Sequence, residues 1–259
     1  MALLGNYVLD REIAVATTSL VDVCGQVGIS EQATRSTLAR MARRDLVLSH
    51  RSGRRAYLAL TQRGAEILRN GRRWLTEPLA LPWDGRWTVV AVTLPTGKEA
   101  ERHALRSRLI WSGFGGLSNG LWIAPHGVDV AESIAGLGLD AHIRAFAANT
   151  LAPTTPGQLI ADAYDLEKMR ARYEQFLFRW VRPSSMAPDA LAQRLLIYTD
   201  WLQIARDNPR LPIEFLPDAW PGLSAEATFH RLTAALEADA SREAAELMDV
   251  IEIREPTKI

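Results

Sequence analysis

Residues Ser30 to Thr61 read SEQATRSTLARMARRDLVLSHRSGRRAYLALT, and their order decides the fold. Ser30 is a good N-cap, with Glu31 in the first turn of the helix that follows. Strands at Val47–His50 and Ala56–Leu60 flank Arg51-Ser52-Gly53-Arg54-Arg55, where Ser-Gly suits a hairpin tip. Helix, strand, basic tip, strand is the sequence form of a winged helix-turn-helix. Such a unit places one helix in a DNA major groove and a hairpin against the backbone.

Charge supports this reading. Residues 30 to 73 hold eleven arginines against Glu31, Asp45 and Glu66, a net +8 in a chain whose formal total is 0. Positive charge gathered in one segment of a neutral chain implies a local polyanion site, not a general affinity for polyanions.

Wound at about 100° per residue, the helix is two-faced. Thr34, Thr37, Leu38 and Met41 share one sector and are expected to pack on the preceding helix. Gln32, Arg35, Ser36, Ala39, Arg40 and Arg43 lie opposite and are the candidate base-reading residues. Arg reads guanine with two hydrogen bonds, Gln reads adenine, and Ala leaves room for a thymine methyl. Arg51, Arg54 and Arg55 are the candidate phosphate contacts of the hairpin. A merely solvated polar face would account for the helix, but not for a neighbouring tip that is also basic and free of acids. Asp45 stands where a left-handed Gly often ends such a helix.

Outward from this stretch the chain divides into three. The first domain spans residues 1–80, with a helix at Leu20–Val27, a turn at Gly28, and a helix capped by Thr61 and running to Trp74. Glu77-Pro78-Leu79-Ala80-Leu81-Pro82 reads as a linker. The second domain, residues 83–149, opens on a strand at Trp87–Leu94. A Thr96-Gly97-Lys98-Glu99 capping box follows, with a helix to Ser112. Strands at Phe114–Leu117 and Leu121–Ala124 surround Ser118-Asn119-Gly120, a strong hairpin signal. A helix at Val128–Leu137 and a strand at His142–Ala147 complete a βαββαβ order, the ferredoxin-like plan. The third domain, residues 155–259, is helical: Leu166 to Trp180 recur at helical spacing up to Pro183, and Leu191 to Leu202 form a second stripe. Ser224 is expected to cap a helix carrying Ala225, Phe229, Leu232 and Leu236, and Ser241 a last one carrying Leu247 and Ile251. The fold class is therefore α+β.

Composition sets the bounds. Hydrophobic residues make up 47% and charged residues 23%, ordinary for a globular chain. No run approaches the roughly 20 apolar residues of a membrane span. The stretch MALLGNYVLDREIAV has no basic n-region, so a cytoplasmic location is expected. Cys24, the single cysteine, leaves no internal disulfide and is read as packing. His50, His103, His126, His142 and His230 show no metal-ligand spacing, Phe114 to Gly120 lacks the Lys of a P-loop, and Ser184-Ser185 has no adjacent base. No cofactor, metal site or catalytic residue is expected.

The chain resembles the PaaX-type transcriptional repressors. The matching residues are Gly28 to Arg35 with Leu38 and Arg40, then Gly53 to Tyr57 and Leu60-Thr61. Trp83 to Trp87, Leu94-Pro95, Leu105-Arg106, Gly113 to Gly115 and Gly120 to Pro125 match in the middle, and Leu216 to Gly222 near the end. The resemblance implies a cytoplasmic homodimer that binds double-stranded operator DNA and represses a catabolic operon for phenylacetate or a related aromatic compound. It implies release by an acyl-CoA thioester such as phenylacetyl-CoA, and a middle domain similar to a small CRISPR-adaptation protein. That protein's fold is associated with an acidic metal ligand at the end of the first strand. Here Trp87 to Pro95 holds no carboxylate. A nucleic-acid-processing enzyme, with the winged helix delivering it, is the alternative this absence disfavours. For the effector, Arg86, Arg102, Arg106, Arg108, Arg179 and Arg182 are available cations, and none is singled out.

Overall fold

Two antiparallel sheets organise the chain, each built where β-branched and aromatic residues alternate between Gly, Pro and Asp. The computed structural model describes residues 1–79, 82–118, 120–181 and 189–253, apart from the Trp74 side chain. The expectations placed on Ala80, Leu81, Asn119, Arg182, Pro183, Ser184 and Ser185 lie outside the described residues.

In order the elements are α1 (Ala2–Tyr7), β1 (Ile13–Ala16), α2 (Thr17–Gln26), α3 (Glu31–Arg43), β2 (Val47–Ser52), β3 (Arg55–Leu60) and α4 (Gln62–Thr76). Next come β4 (Arg86–Val92), α5 (Glu99–Trp111), β5 (Gly115–Ser118), β6 (Leu121–Ala124), α6 (Val130–Ile134) and β7 (Ile143–Asn149). Last are α7 (Pro156–Ala163), α8 (Leu166–Val181), α9 (Ala190–Arg206), α10 (Gly222–Ala235), α11 (Glu237–Leu247) and β8 (Val250–Glu252). The chain forms two compact units: Met1–Glu77 with Phe178–Leu202 and Ala227–Ile259, and Pro78–Leu177 with Gln203–Glu226.

The first unit holds a sheet of order β2-β3-β1-β8. Val15, Leu20, Val23, Met41, Val47 and Leu58 meet Leu191, Leu195 and Ala244 in one core. The last helix therefore ends earlier than its pattern implied. Ile251 is a strand residue opposite Ala14, not a helix residue beside Leu247. Met248 leaves the helix at φ −93, ψ 109, and the Asp249 N–H donates to Ser19 Oγ at 3.0 Å, which turns Val250–Glu252 into a sheet edge. Ser241 lies inside α11 rather than capping it. Ser224 likewise lies inside α10, because the Ala225 N–H already donates to the Pro221 carbonyl.

The second unit holds a sheet of order β5-β6-β4-β7. Along β4 the faces alternate: Val90 packs with Leu105, Leu109 and Ile134, while Trp87 packs with Ile123, Ile160 and Leu211. The element order β4-α5-β5-β6-α6-β7 is the βαββαβ series read from sequence. Two caps differ. Gly97 turns the chain at φ +91, so Glu99 becomes the first residue of α5 and Thr96 lies too far back to cap it. Asp129 caps α6, which stops after five residues, before Gly136 (φ +78). The Thr155–Gln158 capping box with Pro156 at the first position opens α7, a helix the sequence reading passed over along with α1 and β1.

Candidate nucleic-acid interface

Local chemistry fixes α3 at both ends. Ser30 Oγ accepts from the Ala33 N–H at 3.3 Å, and Glu31 stands in the first turn. At the other end Asp45 adopts φ +55. Its N–H donates to the Ala42 carbonyl, and the Leu46 N–H to that of Met41, both at 3.0 Å. This paired closure is the Schellman pattern, with Asp where Gly is usual. Arg40 and Arg43 sit in the last turn, where the helix dipole favours cations.

Thr34 and Met41 are buried and Leu38 half-buried. Gln32, Arg35, Ser36, Ala39, Arg40 and Arg43 are all exposed. Thr37 departs from the expected packing face: it is exposed, and its hydroxyl accepts from Arg40 Nη2 at 3.2 Å. The apolar stripe is narrower than the wheel implied, because Leu38 and Met41 already fill the contact with the core. Thr34 Oγ1 is buried without a hydrogen-bond partner.

The hairpin extends further than expected. The β2–β3 register runs to Ser52↔Arg55, leaving Gly53 and Arg54 as the loop. Gly53, at φ +59, supplies the positive φ that two-residue hairpin loops need. Arg51 and Arg55 are therefore strand residues, and only Arg54 lies at the tip. Strand alternation sends them to opposite faces. Arg51 shares the face of Leu58, which packs in the α3-bearing core. Arg55 shares the face of Tyr57 and Ala59.

Arg55 is engaged there. Its Nη1 donates to Asp249 Oδ2 at 2.6 Å, the Tyr57 hydroxyl donates to the same oxygen at 3.0 Å, and the carboxylate raises the guanidinium pKa. Arg35 pairs with Glu31 at 2.7 Å, Arg69 and Arg72 both pair with Asp10, and Arg73 pairs with Glu77. Among the described residues, Arg40, Arg43, Arg44, Arg51, Arg54 and Arg63 have no carboxylate within ion-pair reach. Arg44 and Arg63 belong to this unpaired group and were left out of the sequence-derived site. Their only signal was the segment's charge.

The second unit carries a separate cleft of about 760 Å³, lined by Arg106, Trp122, Tyr164, Lys168, Met169 and Arg172. Gly115 and Gly116 form one wall; a Cβ at Gly115 would stand 2.7 Å from the Tyr164 ring. The Tyr164 hydroxyl donates toward the Ile123 carbonyl at 2.8 Å and that of Gly113 at 3.0 Å, and burial raises its pKa. Arg172 is held by Asp207 at 2.8 Å, whereas Arg106 and Lys168 have no carboxylate partner among the described residues. Of Arg86, Arg102, Arg106, Arg108 and Arg179, the described cations named from the sequence, Arg106 alone lines this cleft. Arg102 joins it in a smaller neighbouring one of about 470 Å³. Arg179 is paired with Asp200 and lies over Trp180. Among the described residues no group of three or more His, Cys, Asp or Glu is placed to hold a metal, and no helix is long and apolar enough to cross a membrane.

Three family models match successive parts of the chain. Residues 1–64 match the family described as PaaX-like protein, 80–160 the PaaX protein central Cas2-like domain, and 164–246 the PaaX-like protein C-terminal domain. The chain is 25% identical over 239 residues to the transcriptional repressor PaaX of Escherichia coli (strain K12), covering 86% of this chain and 75% of that protein. Among solved structures, the uncharacterized protein Rv0674 from Mycobacterium tuberculosis is similar in fold, with a TM-score of 0.65 at 22% identity, over 93% of this chain and 94% of its own. With three family segments matched in order along its length, the chain belongs to the PaaX family.

Proposed function

We propose that the protein is a cytoplasmic, homodimeric transcriptional repressor of a catabolic operon, released from its operator by an acyl-CoA thioester. The N-terminal segment acts as a winged helix-turn-helix, with α3 in the major groove and the β2–β3 hairpin against the phosphates. One observation carries this reading: Gln32, Arg35, Ser36, Ala39, Arg40 and Arg43 all face solvent from a helix whose other side is held in the core. A helix held in this way can enter a groove without unfolding anything. Likeness to the Escherichia coli repressor supports the regulatory role. The sheet order β5-β6-β4-β7 supports a ferredoxin-like middle domain, residues 83–149, between a DNA-binding domain (1–80) and a helical one (155–259).

The effector reading rests on the cleft. Arg106 and Lys168 supply cations for phosphates, and Trp122 and Met169 supply an apolar wall for an acyl group. The test is fluorescence anisotropy on the promoter beside the protein's own gene, titrated with a panel of acyl-CoA esters. Saturable, salt-dependent binding released by one ester is expected. Binding indifferent to salt overturns the DNA reading, and failure of every ester removes the effector.

A further inference from the structure

The cleft of the second unit wraps an edge of its sheet. Residues Gly113 to Ser118 form one continuous wall of it, and β5 is the outermost strand in the order β5-β6-β4-β7. Glycine leaves this wall without side chains at 115 and 116, so a ligand can reach the main chain itself. Gly115 is buried, whereas Gly116 is exposed.

Strand parity shows what that main chain offers. The Val92 N–H donates to the Gly120 carbonyl at 2.7 Å, in register with Val90↔Trp122, so Gly120, Trp122 and Ala124 turn their main-chain groups to β4. Leu121 and Ile123 turn theirs to β5, and Gly115, opposite Ile123, faces inward to meet them. Gly116 therefore presents both its N–H and its C=O to the cleft. Its neighbours do not extend the row. The N–H groups of Gly113 and Phe114 donate to the Ile110 and Leu109 carbonyls, the Gly113 carbonyl accepts from the Tyr164 hydroxyl, and the register shifts between Gly116 and Ser118. A peptide strand pairs at every second residue and finds no such run here. One donor beside one acceptor suits a ligand chain with only a pair of amides.

We propose that the pantetheine arm of a coenzyme A thioester lies along the β5 edge, with an amide N–H of the arm donating to the Gly116 carbonyl and an amide C=O accepting from the Gly116 N–H. This assignment rests on the acyl-CoA reading above and names the contact that holds the part common to every such ester. The five steps from Gly113 to Ser118 span about 16 Å, the length of an extended arm. Cations flank the same stretch from both faces of the sheet. Arg106 lies over the ring of Trp122, the residue opposite Gly116, while Lys168 comes from α8, whose Met169 packs with Ile123 on the other face. Neither has a carboxylate partner among the described residues, so both are available to phosphates. Past Gly120, the smaller cleft is walled in part by Val92, Leu94 and Leu105 and shares Arg106 and Trp122 with the larger one. The acyl group is directed there, and the phosphates stay with the cations.

The test is calorimetric titration of the full chain with coenzyme A itself and with its nucleotide half, which has the phosphates but no arm. Gly116→Pro removes the outward N–H and leaves the β6 ladder intact. It is expected to weaken coenzyme A about 10-fold and to leave the armless nucleotide unchanged. Gly116→Ala keeps both main-chain groups, and its added Cβ meets the Trp122 ring at 3.4 Å, so it is expected to bind both as the unaltered chain does. A second measurement needs no variant: in the glycine-labelled chain, NMR should show the Gly116 N–H exchanging with solvent about 10-fold more slowly once coenzyme A saturates the protein. A Gly116→Pro variant that binds coenzyme A undiminished, or Gly116 exchange that coenzyme A does not slow, overturns the edge contact alone, and release of the promoter by an ester still upholds the effector reading. Coenzyme A that fails to bind at millimolar concentration, together with esters that never release the promoter, overturns both.

Discussion

The guanidinium of Arg55 lies 2.6 Å from the carboxylate of Asp249, 194 positions further along the chain. A cation at the base of the basic hairpin is thus held by an acid that stands just ahead of β8. That carboxylate competes with any phosphate for Arg55. Asp249→Ala is expected to raise affinity for all duplexes and steepen the dependence of log K on log salt by about one unit, as Arg55 joins the phosphate contacts. Anisotropy across a salt series checks this; an unchanged slope means that Arg55 never reaches DNA.

Arg40 and Arg54 test the division between base reading and backbone contact. Arg40→Ala is expected to cost about 1–3 kcal/mol on the operator and relax preference at one base pair. Arg54→Ala should instead weaken every sequence alike and flatten the salt slope by about one. Arg35→Ala is expected to follow Arg40, because its exposed pair with Glu31 is worth only about 0.3–0.5 kcal/mol.

Thr34 buries a hydroxyl oxygen with no partner. Thr34→Val keeps the shape and removes the unsatisfied group, so urea unfolding should show a gain of about 1 kcal/mol. The outward face of α3 is untouched, and operator affinity should not change.

Alkaline stability should depend on Tyr164. Burial raises its folded pKa above the usual value of about 10. A raised pKa means that stability is fully present below the unfolded value and is lost as pH climbs toward the folded one. Thermal midpoints should therefore fall above about pH 10, and Tyr164→Phe should flatten that decline. The variant should also lower stability at pH 7, because the Ile123 and Gly113 carbonyls lose their donor.

Arg106 should set effector sensitivity if the cleft holds an acyl-CoA. Arg106→Glu is expected to raise the concentration needed for release about 10- to 100-fold while leaving affinity for effector-free DNA unchanged. The same anisotropy titration reads both quantities.

Short-range signals were legible in the sequence. Ser30 and Thr61 announce their helices because a hydroxyl three residues ahead of an N–H is a local arrangement, and both hydrogen bonds are present. The solvent-facing side of α3 follows from helix geometry alone. Thr37 was misplaced because a helical wheel fixes direction but not how wide the neighbouring core is. Arg51 and Arg55 were grouped because strand parity depends on where a hairpin turns, and Gly53-Arg54 is a tighter loop than the five basic-tip residues implied. Ile251 fits a helical stripe with Leu247; only the pairing of Val250 with Val15, far away in sequence, makes it a strand. The Asp249 carboxylate was missed for the same reason, and so was the cleft, whose Arg106 and Lys168 come from separate elements.

That distant pairing has a consequence for biosynthesis. The N-terminal sheet lacks its fourth strand until residues 250–252 have left the ribosome. A nascent chain that has already made α3 still exposes the edge of β1, and Arg55 still lacks its carboxylate. The sheet of the first unit is completed only once residues 250–252 have emerged, and a fragment truncated ahead of Asp249 should inherit the unfinished edge.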